Sequence, residues 1–392
     1  GSQSDNMTVI NCSFTLCTSL SDGGAIVLYG DNATFKKCNF TSSTARENGG
    51  AIAGFGSDNT NISYCIFKYN MAAGYIDTQG TPHGEGGAIY WVDSKNLKVS
   101  NSTFRSNGAH LSGGSISADN CSDSYIYNIE THNETAATNG GSVAWINSDN
   151  VTIDLSFFDD PGADYNGGSI YFLNINATVK NTKINSTWAA WGCAGGIYVD
   201  GNVTIDNVTF NDTHAMEDNA TAIYFASGTS TLSNSTFTNS YDSIVIAKGA
   251  NVTLIKNNLT ADDPNKSMMY LEDNTYEGAQ KVKYTVWNDG DLSLKDNDFD
   301  YVIFNNGTIW SKVTIKILNN ESNVTEWNAS YKFFANITDD NLNTIISVRS
   351  LNTTNDVYTD PANHYVLPYN MKVITCKYQG IFHLTGIDNG FK

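Results

Sequence analysis

The sequence predicts an all-β protein: a right-handed parallel β-helix followed by a small β-sandwich. A phrase such as "GGAIY" returns at intervals of about 26 or 27 residues, and one interval is about ten residues longer. Only 16% of the 392 residues are charged, and no long segment has the charge pattern of an amphipathic helix. A polar, glycine-rich repeat of this length is typical of a solenoid in which each repeat forms one coil.

The glycine pair and the apolar residue after it predict the first strand of each coil. Glycine suits the place where a loop re-enters the strand, because a Cβ there would clash or require a positive φ. Inward residues of stacked coils lie above one another, so the repeated anchor predicts a buried column. Its members are Ile26, Ile52, Ile89, Ile116, Val143, Ile170, Ile197 and Ile223. The residue two places further on faces inward as well, which predicts that Trp91 and Trp145 belong to the core.

Two more short strands are predicted in each coil. One is an alternating run such as "NVTI" at 202–205, and the other carries a polar-x-x-Phe phrase. The phenylalanine column comprises Phe14, Phe40, Phe67, Phe104, Phe157, Phe210 and Phe237, with Ile184 in one slot. Three residues before it, side chains at a bend between strands predict a ladder of amide hydrogen bonds, formed by Asp154, Asn181, Asn207 and Asn234.

Cys12, Cys38 and Cys65 occupy the same slot in three consecutive repeats. Stacked, buried structural thiols are the favoured interpretation. A metal site is the alternative, but no histidine shares these strands and the Cys-x-x-Cys spacing is absent. We therefore expect no metal site at these cysteines.

The repeat weakens after Ile223, although echoes continue to about Asn306. Beyond it, longer strands without this period are predicted at 310–318, 331–340, 370–378 and 380–387, which suits a small β-sandwich. The predicted domains are residues 1–306 and 307–392. Limited proteolysis is expected to cut between Phe304 and Trp310 if the second domain is separate.

Charge and hydropathy exclude several functions. The chain has 22 basic and 40 acidic residues, a formal net charge of −18, which repels nucleic acid and anionic lipid surfaces. No apolar run approaches the roughly 20 residues that span a bilayer, so direct membrane insertion is not expected. We interpret Gly1-Ser2 as a cloning remnant and the chain as a fragment of a longer exported protein.

Glycosylation at an extracellular location is expected from the sequons. Roughly 25 Asn-x-Ser/Thr sequons are spread from Asn6 to Asn352. A composition rich in Asn and Thr also produces sequons by chance, and that alternative stays open.

A family resemblance rests on the "GGAIY" and "NSTF" coils, the "NNGTIWSKVTIKIL" junction and the "ANITDDN" segment. With these motifs the chain resembles the adhesin-like surface proteins of methanogenic archaea over nearly its whole length. The resemblance implies that 307–392 is an immunoglobulin-like domain. It also implies a cell-surface adhesin that attaches to a glycan or protein of another microbe or host.

Two other functions stay open. A structural stalk without its own ligand site would project some other domain. A polysaccharide lyase or hydrolase would need carboxylates from neighbouring coils close to a histidine and cationic groups. The best carboxylates, Asp159 and Asp160, are about three coils from His83 and Glu85, and the only arginines are Arg46, Arg105 and Arg349. We expect no enzyme activity and assign no catalytic residues.

The candidate ligand site is a row of tyrosines on the first strand. The residue after the column isoleucine faces outward, and three consecutive coils place Tyr171, Tyr198 and Tyr224 there. Loop aromatics Tyr165, Trp188 and Trp191 are expected to frame the row, and stacked rings suit sugar faces. A strand-stabilising ladder without function is the alternative. The insertion "GYIDTQGTPHGE" (Gly74 to Glu85) is the next candidate.

No cofactor or metal is expected. Acidic groups at 262–263, 296–300 and 339–340 raise calcium as an alternative, but none has the spacing of a calcium-binding loop.

Overall fold

The computed structural model describes residues 5–215, 220–238 and 244–259, together with the strands between residues 284 and 376 whose bounds are given below. Within these residues the chain forms β-strands and no α-helix. No helix among them is long and apolar enough to cross a membrane. The acidic residues at 262–263, 296, 300 and 339–340 and the predicted strand at 380–387 lie outside the described residues.

Sheet 1 contains the strand that follows each glycine pair and the alternating strand after it. In the middle coils these two strands merge into one, as in Val143–Asp154. The first set is Ile26–Leu28, Ile52–Phe55, Ile89–Lys95, Ile116–Ser122, Val143–Asp154, Ile170–Lys180, Ile197–Asp206, Ile223–Ser227, Ile244–Ile246 and Tyr284–Asn288. The second set is Thr8–Ile10, Thr34–Lys36, Asn61–Ser63, Lys98–Ser100, Tyr125–Tyr127, Thr229–Ser233, Asn251–Ile255 and Asp291–Lys295.

Sheets 2 and 3 complete each coil. Sheet 2 contains the strands of the polar-x-x-Phe phrase and their counterparts in the coils that lack this phenylalanine. They are Ser13–Thr15, Asn39–Thr41, Ile66–Lys68, Thr103–Arg105, Glu130–His132, Phe157–Asp159, Lys183–Asn185, Thr209–Asn211, Thr236–Thr238, Asn258–Leu259 and Asp298–Phe299. Sheet 3 has two-residue strands at Thr18–Ser19, Thr44–Ala45, Met71–Ala72, Gly108–Ala109, Thr135–Ala136, Gly162–Ala163, Trp188–Ala189 and His214–Ala215. The predicted parallel β-helix is confirmed, with three parallel sheets along its length.

The register of sheet 1 follows the repeat of the sequence. Ile89 pairs with Ile116, Ile116 with Val143, Val143 with Ile170, and Ile170 with Ile197. All five side chains are fully buried, which confirms the predicted column. Each such side chain removed from water contributes roughly 1.5–3 kcal/mol, so the column is a major source of stability.

At the second inward position each tryptophan has a small residue in at least one neighbouring coil, and Ala118 lies between Trp91 and Trp145. Trp91 and Trp145 are fully buried, as predicted, and their indole N–H groups donate to the carbonyls of Ser57 and Cys121. The ring of Trp91 lies against Gly54, where an added Cβ would come within 2.4 Å of the indole. A tryptophan therefore needs a small residue in the neighbouring coil.

The phenylalanine column is confirmed except in one coil. Phe40, Phe67 and Phe104 stack with ring centroids 4.8–4.9 Å apart. The prediction placed Phe157 in this column, and that is wrong. Thr131 pairs with Phe158, which is fully buried, whereas Phe157 points outward and is half-buried.

The polar and cysteine ladders follow the coil repeat. The side-chain amide of Asn181 donates to Asp154 at 2.9 Å, and that of Asn207 donates to Asn181 at 2.8 Å, as predicted. Asn234 instead donates to Asp206 at 2.7 Å. Cys38 and Cys65 are buried free thiols in successive coils, whereas Cys12, in the first coil, is exposed.

The second glycine of each pair is required by backbone packing. A Cβ on Gly114 would lie 2.1 Å from the carbonyl oxygen of Gly141, and one on Gly141 would lie 2.1 Å from that of Gly168. A Cβ on the first glycine, such as Gly113, would lie 2.2 Å from the carbonyl oxygen of Ile116, and this glycine also adopts the left-handed conformation, with a φ of 70°. Both glycines are therefore required, the first for its conformation as well as its packing.

Strand Val302–Asn319 ends the parallel pairing. Up to Ser311 it pairs in parallel with Tyr284–Asn288 and Asp291–Lys295. It also pairs antiparallel with Val324–Ile337 and Met371–Cys376. Further antiparallel strands are Thr344–Ser350, Tyr358–Thr359 and Tyr365–Val366. The predicted boundary between residues 306 and 307 falls inside this strand, and the immunoglobulin-like domain stays a prediction.

Candidate functional site

Tyr171, Tyr198 and Tyr224 form a continuous stack on the outer face of sheet 1. The strand register pairs Tyr171 with Tyr198 and Tyr198 with Tyr224. The ring centroids are 5.2 Å and 5.6 Å apart, and the rings are inclined by 22° and 3°. Each ring points outward because the isoleucine before it points into the core. The row is therefore an aromatic surface parallel to the helix axis.

The three rings are not equally accessible. Only 9% of Tyr171 is exposed, whereas Tyr198 and Tyr224 are half-buried. The glycine turn of the preceding coil lies against Tyr171, since a Cβ on Gly140 would come within 3.1 Å of the Tyr171 Cβ. Tyr171 therefore contributes little accessible surface, and Tyr198 and Tyr224 supply most of the accessible surface of the row.

A carboxylate lies beside these rings. Asp200 follows Tyr198 by two residues in an extended strand, so both side chains point outward. The hydroxyl of Ser227 donates a 2.5 Å hydrogen bond to Asp200 Oδ1. Burial raises the pKa of Tyr198, and the neighbouring Tyr171 and Asp200 raise it further. The Tyr198 phenol therefore stays protonated at neutral pH, and the site combines ring faces, a hydroxyl donor and a carboxylate acceptor.

The predicted loop aromatics separate into two places. Tyr165 and Trp191 are 51% and 65% exposed in successive loops that lead from sheet 3 to sheet 1. The backbone N–H of Trp191 donates to the Asp164 carbonyl, so the two loops are directly adjacent. Trp188 lies in sheet 3, where its indole covers Gly162. The loops thus bring Tyr165 and Trp191 together, whereas Trp188 belongs to another sheet.

A second aromatic cluster lies at the other end of the same face. Tyr29 stacks on Phe55 with centroids 5.4 Å apart, and Phe55 meets Tyr90 edge-on at 5.9 Å. Tyr90 directly follows the column residue Ile89, so strand alternation predicts that it faces outward, whereas no prediction covered Tyr29 and Phe55. The sequence does place these two rings at the same position of the repeat, because Tyr29 and Phe55 each follow the column isoleucine by three residues.

Glu85, at the end of the insertion, lies beside Tyr90. Its Oε2 accepts a 3.1 Å hydrogen bond from the Ser117 hydroxyl. Burial raises the pKa of Glu85, and the nearby Asp119 acts in the same direction. Burial also raises the pKa of Tyr90, and Glu85, Asp119 and Asp22 raise it further. This cluster therefore repeats the combination found at Tyr198, with ring faces next to carboxylates.

The rest of the insertion is held by its own contacts. The rings of Tyr75 and His83 stack 5.1 Å apart, and His83 Nε2 lies 3.4 Å from Asp77 Oδ2. Arg46 lies over the Tyr75 ring at 4.3 Å, and the Tyr75 hydroxyl donates to Glu47. The insertion is thus tied to the loop of the preceding coil.

The residues considered as catalytic candidates do not lie close to one another. Asp159 lies on the outer face of sheet 2, where its Oδ2 is 3.3 Å from His132 Nδ1 and Asn185 donates to its Oδ1. Glu85 and His83 lie at the edge of sheet 1. Over the described part of the chain, no group of three or more His, Cys, Asp or Glu side chains is arranged to hold a metal ion.

Solved structures with a similar course of the chain have diverse activities. One is PfbA, a surface adhesin of Streptococcus pneumoniae, at 12% identity and a TM-score of 0.41, over 88% of this chain and 91% of that one. Another is a PL6 alginate lyase in complex with a trisaccharide, at 11% identity and a TM-score of 0.39, over 82% and 85%. A third is a tailspike protein of E. coli bacteriophage HK620 in complex with a pentasaccharide, at 10% and 0.32, over 92% and 73%. These similarities carry no argument about function.

A comparison with curated proteins found no match. The family described as the right handed beta helix region matches residues 1–110 and 87–260, which is more than half of the chain. This match agrees with the three parallel sheets and the buried isoleucine column over the same residues. The chain therefore belongs to the right-handed β-helix family.

Proposed function

We propose that this chain is part of a cell-surface adhesin that binds a glycan through the outer face of sheet 1. The observation that carries the proposal is the stack of Tyr171, Tyr198 and Tyr224 beside Asp200. Pyranose rings have an apolar face that packs on aromatic rings, while their hydroxyls need hydrogen-bond partners. This face offers both within three successive coils.

The loop aromatics extend this surface. Tyr165 and Trp191 are the most exposed aromatic side chains in the loops that enter sheet 1 next to the tyrosines. A bound sugar that covers Tyr198 and Tyr224 would bring further units of the same glycan to these loops. Trp188 is left out of the proposed contact surface because it lies on sheet 3.

The wider setting is part of the same proposal. We place the protein outside the cell, as a fragment of a longer surface protein with an immunoglobulin-like domain over 307–392. The source would be a methanogenic archaeon, and the partner a surface glycan or protein of another microbe or host. The sequons and the resemblance of the coil motifs support this setting.

We propose binding without cleavage. A hydrolase or lyase needs its acidic and basic groups around one bond. Asp159 lies on sheet 2 and Glu85 on sheet 1, so the weighed carboxylates face different directions. A stalk without a ligand site would account for the β-helix, and the experiment below distinguishes it from an adhesin.

The test is a glycan array probed with the non-glycosylated chain and with the double variant Tyr198→Ala/Trp191→Ala. Loss of two accessible rings is expected to weaken binding by about 1–3 kcal/mol, roughly 5- to 150-fold. Tyr69→Ala is the matched control, because Tyr69 is 61% exposed but follows a strand of sheet 2. An array without any bound glycan, or a double variant that binds as well as the parent while folded, would refute the proposal. Depolymerisation assays on pectin and alginate with the same samples test for enzyme activity.

A further inference from the structure

The two aromatic clusters of sheet 1 are on one line along the helix axis. Sheet 1 pairs Tyr90 with Ser117, Ser117 with Ala144, and Ala144 with Tyr171. Tyr90 and Tyr171 are therefore three coils apart, roughly 14 Å at the usual spacing of neighbouring strands. We define the first cluster as Tyr29, Phe55 and Tyr90, and the second as Tyr171, Tyr198 and Tyr224.

The coils between the clusters have no ring in this slot. Ser117 and Ala144 are small and fully buried, so nothing in this slot projects from the face there. Outward residues of the next slot, Asp119, Ile146 and Leu173, are half-buried and continue the surface. The face thus has an aromatic cluster at either end and a low, mixed surface between them.

Both clusters have carboxylates close to their rings. Glu85, Asp119 and Asp22 lie close enough to Tyr90 to raise its pKa, and Asp200 has the same effect on Tyr198. Carboxylates accept hydrogen bonds from sugar hydroxyls but repel sugar carboxylates and sulfates. The net charge of −18 reinforces this repulsion. These groups favour a neutral sugar at both ends.

We infer that the Tyr29–Phe55–Tyr90 cluster is a second binding site for the same ligand, and that the ligand is a linear, neutral oligosaccharide lying along the helix axis. This inference rests on the proposed function. A chain that reaches both clusters gains from the second contact without a new loss of translational freedom, so affinity rises with chain length once the gap is spanned. An oligosaccharide too short to span it binds one cluster at a time.

The experiment uses the neutral glycan selected by the array, cut into oligosaccharides of two to eight sugars. Affinity is measured by calorimetry for the full chain, for Tyr29→Ala/Tyr90→Ser, and for Tyr198→Ala. Serine at position 90 copies Ser117 of the next coil, and Tyr29 is 46% exposed, so the double variant is expected to fold. Tyr69→Ala is again the control, and circular dichroism checks the fold of each variant.

The parent is expected to bind the longest oligosaccharide at least about tenfold better than the shortest. Tyr29→Ala/Tyr90→Ser should lose this gain with length, and Tyr198→Ala should lose it too while also weakening the binding of short oligosaccharides to the second cluster. The corresponding uronic acid oligosaccharide should bind more weakly than the neutral one. If Tyr198→Ala weakens binding but Tyr29→Ala/Tyr90→Ser leaves the length dependence intact, the second site is refuted and the proposed function stands. If neither variant changes binding, or the array selects only anionic glycans, both the site and its ligand class are wrong.

Discussion

The buried carboxyl group of Glu134 accepts a 3.0 Å hydrogen bond from the backbone N–H of Asn107, one coil earlier in the core of the helix. The side-chain oxygen of Asn107 in turn accepts a 3.0 Å hydrogen bond from the backbone N–H of Asn70. Glu134 thus continues an internal asparagine ladder with a titratable group. Complete burial raises its pKa from 4.5 to about 8.

Glu134→Gln is expected to remove a pH dependence of stability. Below pH 4.5 the carboxyl is protonated in both the folded and unfolded chain, so it contributes no pH dependence there. Between pH 4.5 and 8 only the unfolded chain ionises, which lowers the free energy of unfolding by about 1.4 kcal/mol per pH unit. The variant keeps the acceptor and should be more stable than the parent at pH 7, with the difference vanishing near pH 4. Urea unfolding across this range measures it, and Glu130→Gln, on the outer face, is the control. Parallel pH profiles for parent and variant would contradict the assignment.

Phe158→Ala and Phe157→Ala are expected to differ in stability although the residues are neighbours. Phe158 is fully buried in the column, so its loss leaves a cavity and costs about 3–5 kcal/mol. Phe157 faces outward, where its ring meets His132 edge-on at 5.9 Å, and its loss should cost about 1 kcal/mol or less. Chemical denaturation of the two variants decides between them. An equal loss would show that the coil is shifted by one residue.

Gly141→Ala is expected to prevent correct folding. The new Cβ would lie 2.1 Å from the Gly168 carbonyl oxygen and 2.5 Å from that of Gly162, both of which are backbone atoms. Gly80→Ala is the control, because nothing lies within 4 Å of its Cβ position and only the positive φ of 86° is unfavourable. Expression and thermal unfolding should show a severe defect for the first variant and about 1 kcal/mol for the second. Similar stability of the two variants would contradict the close stacking of the glycine turns.

Alkylation is expected to distinguish the cysteines by coil. Burial raises the pKa of Cys65 to about 11 and that of Cys121 to about 12, so both stay as inaccessible thiols at pH 8. Cys12 is exposed and should react with iodoacetamide in the native protein. Peptide mass spectrometry before and after unfolding in urea shows which cysteines react in the native protein and which react only after unfolding. Rapid native labelling of Cys65 would show that the core column is open.

The period of the sequence predicted the fold because stacked coils require like residues at like positions. The isoleucine column and the buried tryptophans followed from this period. Phe157 was chosen because it fitted the local phrase, yet Phe158 follows Val143 by fifteen residues, as Phe104 follows Ile89. The count from the anchor does not separate the two residues, because Phe40 follows Ile26 by fourteen residues.

The sequence predicted only part of the candidate site. Alternation along a strand shows that Tyr171 points outward, but the glycine turn of the preceding coil that covers it is a tertiary contact. Tyr29 and Phe55 share a slot in two coils only, too few for a visible period. The surroundings of Glu85 depend on where the insertion returns to sheet 1, which no local pattern encodes.

The contacts between successive glycine turns also bear on how the gene can change. Each turn fits any neighbour that presents a glycine carbonyl at the same place, so the turns themselves do not restrict which coil follows which. Duplication or deletion of one coil preserves the contacts between glycine turns, whereas gain or loss of a few residues inside a coil would set side chains against backbone. The insertion from Gly74 to Glu85 escapes this rule because it leaves and re-enters the helix on the outside, with Ile52 and Ile89 still in register. Selection can therefore adjust the reach of the protein in steps of one coil and its surface chemistry by loop insertions, independently of each other.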